Sequence, residues 1–182
     1  YFTYAEVMAH LDNMAALYPS LITTKAPIGS FQTFESRPIY WLRMSDNASV
    51  DEAEPEMLYS AIHHAREPAC LSQLIFYMWY LLENYGSDPE VTAILDNTEL
   101  YFVPLLNPDG YVYNEVNDPS GGGMWRKNRR NHGSGYFGVD NNRNYSYEWG
   151  TTGISGDVWA DNYPGTAAFT EAENQAMKWL CE

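Results

Sequence analysis

His64 and Glu67 stand three residues apart in His63-His64-Ala65-Arg66-Glu67, and both side-chain types bind metal. Zn²⁺ takes His nitrogen and Asp/Glu oxygen at about 2 Å in a near-tetrahedral shell. Taken alone, the pair has a second reading. Glu67 could complement the positive end of a following helix while His64 sits in a polar loop. A second concentration of chemistry lies downstream, where Arg126, Lys127, Arg129 and Arg130 crowd together and Arg143 follows. On an acidic chain such a basic focus reads as a local anion site, or as a solvated loop that happens to be basic.

The first pair needs a corner to hold it. Met57 to His63 is apolar at nearly every position, which suits a strand buried on both faces. Beyond it, Leu71, Leu74, Ile75, Met78, Leu81, Leu82 and Tyr85 recur at helical spacing, and Pro68 suits the first helical position. The metal-ligand candidates therefore fall at the carboxyl end of a strand, where open α/β sheets bind ligands. His63 is adjacent, but on a strand it would point the opposite way.

The remaining elements follow the same signals. Thr3 and Glu6 form a capping-box pair for a helix to Tyr18, with His10 off its apolar stripe as a surface histidine. Leu21–Ile28 and Pro38–Met44 read as strands joined through Gly29-Ser30. Asp88–Asp96 reads as a short helix and Leu100–Leu106 as a strand ended by the turn Asn107-Pro108-Asp109-Gly110. From Tyr111 to Pro164 there is little periodicity, and so long an irregular stretch is usually functional. Thr170, with Glu173, is expected to cap a final helix reaching Glu182.

Composition narrows the function classes. The 182 residues suffice for one good-sized core, and 10 Lys+Arg against 24 Asp+Glu give a formal charge of −14. That balance argues against nucleic acid or an anionic membrane as main partner. Cys70 and Cys181 give no disulfide framework, and Cys70 reads as a small core residue. There is no secretory apolar segment and no run long enough to span a bilayer. The opening at Tyr1 rather than Met is expected of a processed or trimmed product, and the expected location is secreted or periplasmic.

Four motifs in order, His64-Ala65-Arg66-Glu67, Asn107-Pro108-Asp109-Gly110-Tyr111, Trp125-Arg126-Lys127-Asn128-Arg129 and Gly138-Val139-Asp140-Asn141-Asn142-Arg143-Asn144, closely resemble the zinc carboxypeptidases of the carboxypeptidase A/B type. The resemblance spans essentially the whole chain. It implies a mixed, mostly parallel α/β open sheet with helices on both faces, truncated here to the N-terminal portion of a single peptidase domain (residues 1–182). It also implies that His64 and Glu67 are two of three protein ligands to Zn, with Asp140 orienting the ligand histidine. Arg126 is then the catalytic oxyanion partner, Asn142 and Arg143 grip the substrate's terminal carboxylate, and Arg66 binds substrate farther along the cleft.

One departure matters. The histidines are His10, His63, His64 and His132, and none follows Asn144. The family's third ligand histidine, catalytic glutamate and specificity pocket all come after the helix that closes this sequence. Tyr136 and Trp159 fall near two positions that are cysteine in the mammalian digestive enzymes. The expected partners are peptide or protein C-termini and the remainder of the peptidase domain. Two other functions remain open: a bacterial cell-wall peptidase of the same superfamily cutting D-amino-acid or γ-linked peptides, and a non-catalytic module that binds C-terminal carboxylates.

Overall fold

The computed structural model describes Tyr1–Glu182. In chain order the elements are α1 (Tyr4–Leu17), β1 (Ala26–Gln32), β2 (Pro38–Met44), β3 (Glu56–Ser60), α2 (Pro68–Asn84), α3 (Pro89–Leu95), β4 (Glu99–Val103), α4 (Pro108–Asn117), β5 (Asn131–Gly133), β6 (Tyr136–Phe137), a 3₁₀ turn (Asn141–Arg143) and α5 (Ala172–Cys181). They form two compact units. The first comprises Tyr1–Ala26, Tyr40–Ala61 and Ala69–Pro104; the second comprises Pro27–Ile39, Ile62–Pro68 and Leu105–Glu182.

The first unit holds the sheet order β2-β4-β3. Leu42 to Met44 run antiparallel to β4, whereas β3 runs parallel to it, with Glu56 opposite Glu99 and Ser60 opposite Val103. The sheet is thus mixed, with one pairing of each kind here. Its core comes from Leu42 and Met44 of β2, Leu100 and Phe102 of β4, and the stripes Val7, Leu11, Met14 of α1 and Leu71, Ile75, Met78 of α2. Each such side chain contributes about 1.5–3 kcal/mol on burial. The Thr3 and Glu6 capping box forms in full, and Asp88 caps α3 ahead of Pro89.

Several expectations need correction. β3 is shorter than Met57–His63 and is not buried: Met57 is 50% exposed and Leu58 36%, because β3 ends the strand order and pairs only with β4. The strand expected over Leu21–Ile28 lies at Ala26–Gln32, with Gly29 and Ser30 inside it rather than in a turn. His10 is no idle surface histidine, since the Trp79 indole donates to its Nδ1 at 3.1 Å. Cys70 is exposed rather than core, as is Cys181, and no disulfide joins them.

In the second unit the Asn-Pro-Asp-Gly signal opens α4 rather than ending in a turn. Asn107 accepts from the Gly110 amide as N-cap and Pro108 follows at the first helical position. Turn and helix-start chemistry share these residue types, so composition alone could not separate them. Asp109 is fully buried, accepting from Thr33 Oγ1, the Glu35 amide and the Arg37 guanidinium at 2.7–2.8 Å.

Apart from the short antiparallel pair β5–β6, the long irregular segment is held largely by side-chain hydrogen bonds. Asn144 Nδ2 donates to the carbonyls of Pro164 and Ala167 and to Thr170 Oγ1, and its Oδ1 accepts from the Glu171 amide. Thr170 Oγ1 thus accepts from Asn144 and donates to the Glu171 carboxylate at 2.8 Å. It does not cap α5, whose N-cap is Glu171 with no side-chain cap bond.

Candidate metal centre

The metal-binding candidates sit on the short loop Ile62–Pro68 of the second unit. Ile62 turns the chain with φ +55°, a left-handed conformation that costs a β-branched residue about 1–3 kcal/mol. Two neighbours hold the loop in place. The Asn107 amide donates to the Ile62 carbonyl at 3.0 Å, and the Ala65 amide donates to the Arg126 carbonyl at 3.0 Å. Asn107 Nδ2 adds a bond to the Lys127 carbonyl at 3.0 Å. Gly110 lets these pieces close up, because a Cβ there would stand 2.6 Å from the Lys127 carbonyl oxygen and 2.9 Å from Ala65 Cβ.

On that scaffold His64 Nδ1 lies 3.0 and 3.1 Å from the two Glu67 carboxylate oxygens. Its other nitrogen, Nε2, lies 3.0 Å from Asp140 Oδ1. His64 is buried, Asp140 is wholly buried and the Glu67 side chain is half exposed, so the corner opens to solvent on the Glu67 side. Burial alone would raise the Asp140 pKa, but the bonds to His64 and Arg126 outweigh it and hold the carboxyl below its usual range. An ionised Asp140 on Nε2 leaves Nδ1 free to act as the metal-facing nitrogen.

Arg126 closes the arrangement. Its Nε and one terminal nitrogen reach Asp140 Oδ2 at 3.3 and 3.0 Å, and the other terminal nitrogen lies 3.5 Å from Glu67 Oε1. Asp140 Oδ1 also accepts from the Asn142 amide at 2.9 Å, starting the 3₁₀ turn that carries Asn142 and Arg143. The Arg143 side chain has its own partners on this segment. It donates to the Gly153 carbonyl at 2.9 Å and the Asn142 carbonyl at 3.0 Å, lining a cavity of about 290 Å³ with Tyr145, Tyr147 and Trp149. Arg66 pairs with Asp161 at 2.8 Å, a partner without a spacing signal in the sequence.

His63, expected on the strand, lies beyond β3, which ends at Ser60. Its Nε2 lies 2.8 Å from the Tyr145 hydroxyl, and burial first, with the neighbouring His64, pulls its pKa down to about 4.

The family model described as zinc carboxypeptidase matches residues 7–181. The chain belongs to the zinc carboxypeptidase family. Carboxypeptidase A2 of Rattus norvegicus is 33% identical over 97% of this chain and 40% of its own length. The zinc carboxypeptidase of Saccharothrix mutabilis subsp. capreolus is 31% identical over 84% of this chain and 34% of its own. Among solved structures, carboxypeptidase A from Helicoverpa armigera superposes with a TM-score of 0.84 at 30% identity, covering 98% of this chain and 42% of that one. The chain thus spans about two fifths of the length of these carboxypeptidase relatives. No helix is long and apolar enough to cross a membrane.

The His64 and Glu67 donor pair fits the zinc of a carboxypeptidase. An imidazole nitrogen and a carboxylate face each other at hydrogen-bond distance, and a buried carboxylate orients the imidazole from behind. Three acidic groups, Asp51, Glu56 and Glu99, also approach one another in the first unit. That cluster already contains Arg43, 3.2 Å from Glu99 and 3.6 Å from Asp51. For the His64 corner, Asp140→Asn is expected to weaken zinc affinity by roughly 10- to 100-fold, the usual effect of losing such an orienting partner. Competition against a chelator measures this, and an unchanged affinity would contradict the assignment.

Proposed function

We propose that this chain supplies the N-terminal portion of the catalytic domain of a secreted or periplasmic metallocarboxypeptidase that hydrolyses C-terminal residues of peptides. The observation that carries the reading is the His64 imidazole shared between Glu67 on one nitrogen and Asp140 on the other. Zinc bound at His64 and Glu67 would polarise a scissile carbonyl and acidify a water. The chain's own residues supply the rest of this half of the site. Asp140 fixes the tautomer of His64, and Arg126, braced on Asp140, offers a fixed cation where negative charge develops.

Asn142 and Arg143 serve as the clamp on a free C-terminal carboxylate, for which a guanidinium fork is suited. The natural partners are then peptide C-termini and the segment that brings the third ligand and the general base. Expressed by itself, the 182-residue chain is expected to hold zinc poorly, because its corner provides two of the three protein ligands a catalytic zinc normally takes.

The clamp gives the functional test. In the full-length enzyme, Arg143→Ala should raise KM for a peptide with a free C-terminus far more than it changes kcat. The C-terminal amide of the same peptide, already a poor substrate, should lose little further. Equal losses on acid and amide would remove Arg143 from the clamp and with it the exopeptidase reading.

A further inference from the structure

Beside the metal-binding candidate His64, the neighbouring His63 makes a different connection. Its Nε2 lies 2.8 Å from the Tyr145 hydroxyl, 82 positions along the chain. Both ends of that bond belong to the second unit, and each is anchored. On the His63 side, Asn107 Nδ2 donates to the His63 carbonyl at 3.4 Å, and the Asn107 amide donates to the Ile62 carbonyl at 3.0 Å. On the Tyr145 side, the Asn144 carbonyl accepts from the Phe169 amide at 2.6 Å, and the Phe169 ring meets the Tyr145 ring edge-on at 5.9 Å.

Tyr145 also lines the cavity shared by Asn142 and Arg143. The turn carrying those two residues is therefore tied to the metal corner at both of its ends. Ahead of the turn, Asp140 Oδ1 meets His64 Nε2 at 3.0 Å and accepts from the Asn142 amide at 2.9 Å. Behind it, Tyr145 meets His63. A segment tied at one point can pivot about that point, and a second tie removes the freedom.

The distance held in this way has a chemical meaning. A peptide with its scissile carbonyl at the metal and its terminal carboxylate at the clamp has one residue between the two. One extra methylene, as in a β-amino acid, lengthens that span by up to about 1.5 Å. A misplacement of about 1 Å can cost roughly 10²-fold in rate. Resting on the peptidase reading, we infer that His63 and Tyr145 are positioning residues whose hydrogen bond fixes the spacing between the metal corner and the carboxylate clamp, so that peptides ending in an α-residue are selected over those ending in a β-residue.

The test uses the full-length protein and benzoyl-glycyl peptides ending in Phe, Leu, Lys or Glu, with the β-homologue of whichever the parent cleaves fastest. The parent should favour the α-peptide by roughly 10²-fold in kcat/KM. Tyr145→Phe keeps the ring and removes the hydroxyl. Its kcat on the α-peptide should fall about tenfold with KM nearly unchanged, because the carboxylate is still gripped while the carbonyl is less well placed. Its preference over the β-homologue should shrink by a similar factor. His63→Leu should do the same, and the double variant should lose nothing beyond either single one. His63→Gln, which keeps a hydrogen-bonding group, should restore part of the preference. Tyr145→Phe should retain its zinc; loss of the metal there would make the effect one of zinc binding and overturn the inference. So would an unchanged α-to-β preference in Tyr145→Phe, or single losses that multiply in the double variant. A parent that cleaves none of these peptides would refute the peptidase reading itself. A parent that cleaves α- and β-peptides equally would refute the spacing role and leave that reading standing.

Discussion

Arg126→Ala, which removes the proposed oxyanion partner, is expected to lower kcat of the full-length protein by roughly 10²- to 10³-fold, the loss typical of a removed oxyanion donor. The side chain is mostly buried and two of its nitrogens are spent on Asp140, so the guanidinium is rigid before any substrate arrives. Its remaining terminal nitrogen makes only the long 3.5 Å approach to Glu67, which a developing oxyanion can replace. A preorganised cation of this kind costs no reorganisation at the moment of reaction. Part of the effect could instead come through Asp140, which would lose its main cation. Arg126→Lys separates the two: it keeps a charge near Asp140 but forfeits the fork, so kcat should stay depressed while zinc affinity recovers. If kcat falls by less than about tenfold in Arg126→Ala, the oxyanion role is wrong.

The second large effect concerns stability and pH. Glu173, at the start of α5, is wholly buried, and burial above all, with Glu171 nearby, pushes its pKa up to about 8. Asn128 Nδ2 donates to one of its oxygens at 3.2 Å and to Glu171 at 2.7 Å, while Glu173 Oε1 has no hydrogen-bond partner. The folded state therefore prefers the protonated acid, whereas the unfolded chain releases that proton near 4.5. A folded pKa above the unfolded one means stability from this group is complete below about 4.5 and is lost as pH rises through 8. A shift of that size corresponds to roughly 3–5 kcal/mol. Glu173→Gln, neutral at every pH, should match the parent in urea unfolding at pH 4 and exceed it by most of that amount at pH 9. A difference that does not change with pH would show that Glu173 is not held protonated.

How legible was all this in the sequence? The His64 and Glu67 pair was, because residues three apart at a chain reversal need no long-range information to meet. Asp140 lies 76 positions from His64, and no periodicity links them; only the resemblance to a known family pointed there. The partners Asp161 of Arg66 and Tyr145 of His63 were invisible for the same reason. Helices α1 and α3 were readable from their caps, which are local chemistry, and α2 from its apolar stripe and Pro68. The helix α4 was not, since Asn-Pro-Asp-Gly serves equally as a turn or a helix start, and the choice was made by Asn107 bonding to two distant loops. β3 misled because an apolar run reports what could be buried, whereas exposure depends on which strands lie alongside.

The most direct measurement is zinc content. Metal analysis of the purified full-length protein, and of its His64→Ala and Glu67→Ala variants after dialysis against a mild chelator, reads the centre without relying on turnover. The expected result is one zinc per parent molecule and a large loss in both variants. Full zinc occupancy retained in both variants would contradict the assignment of the His64 and Glu67 corner as the metal site.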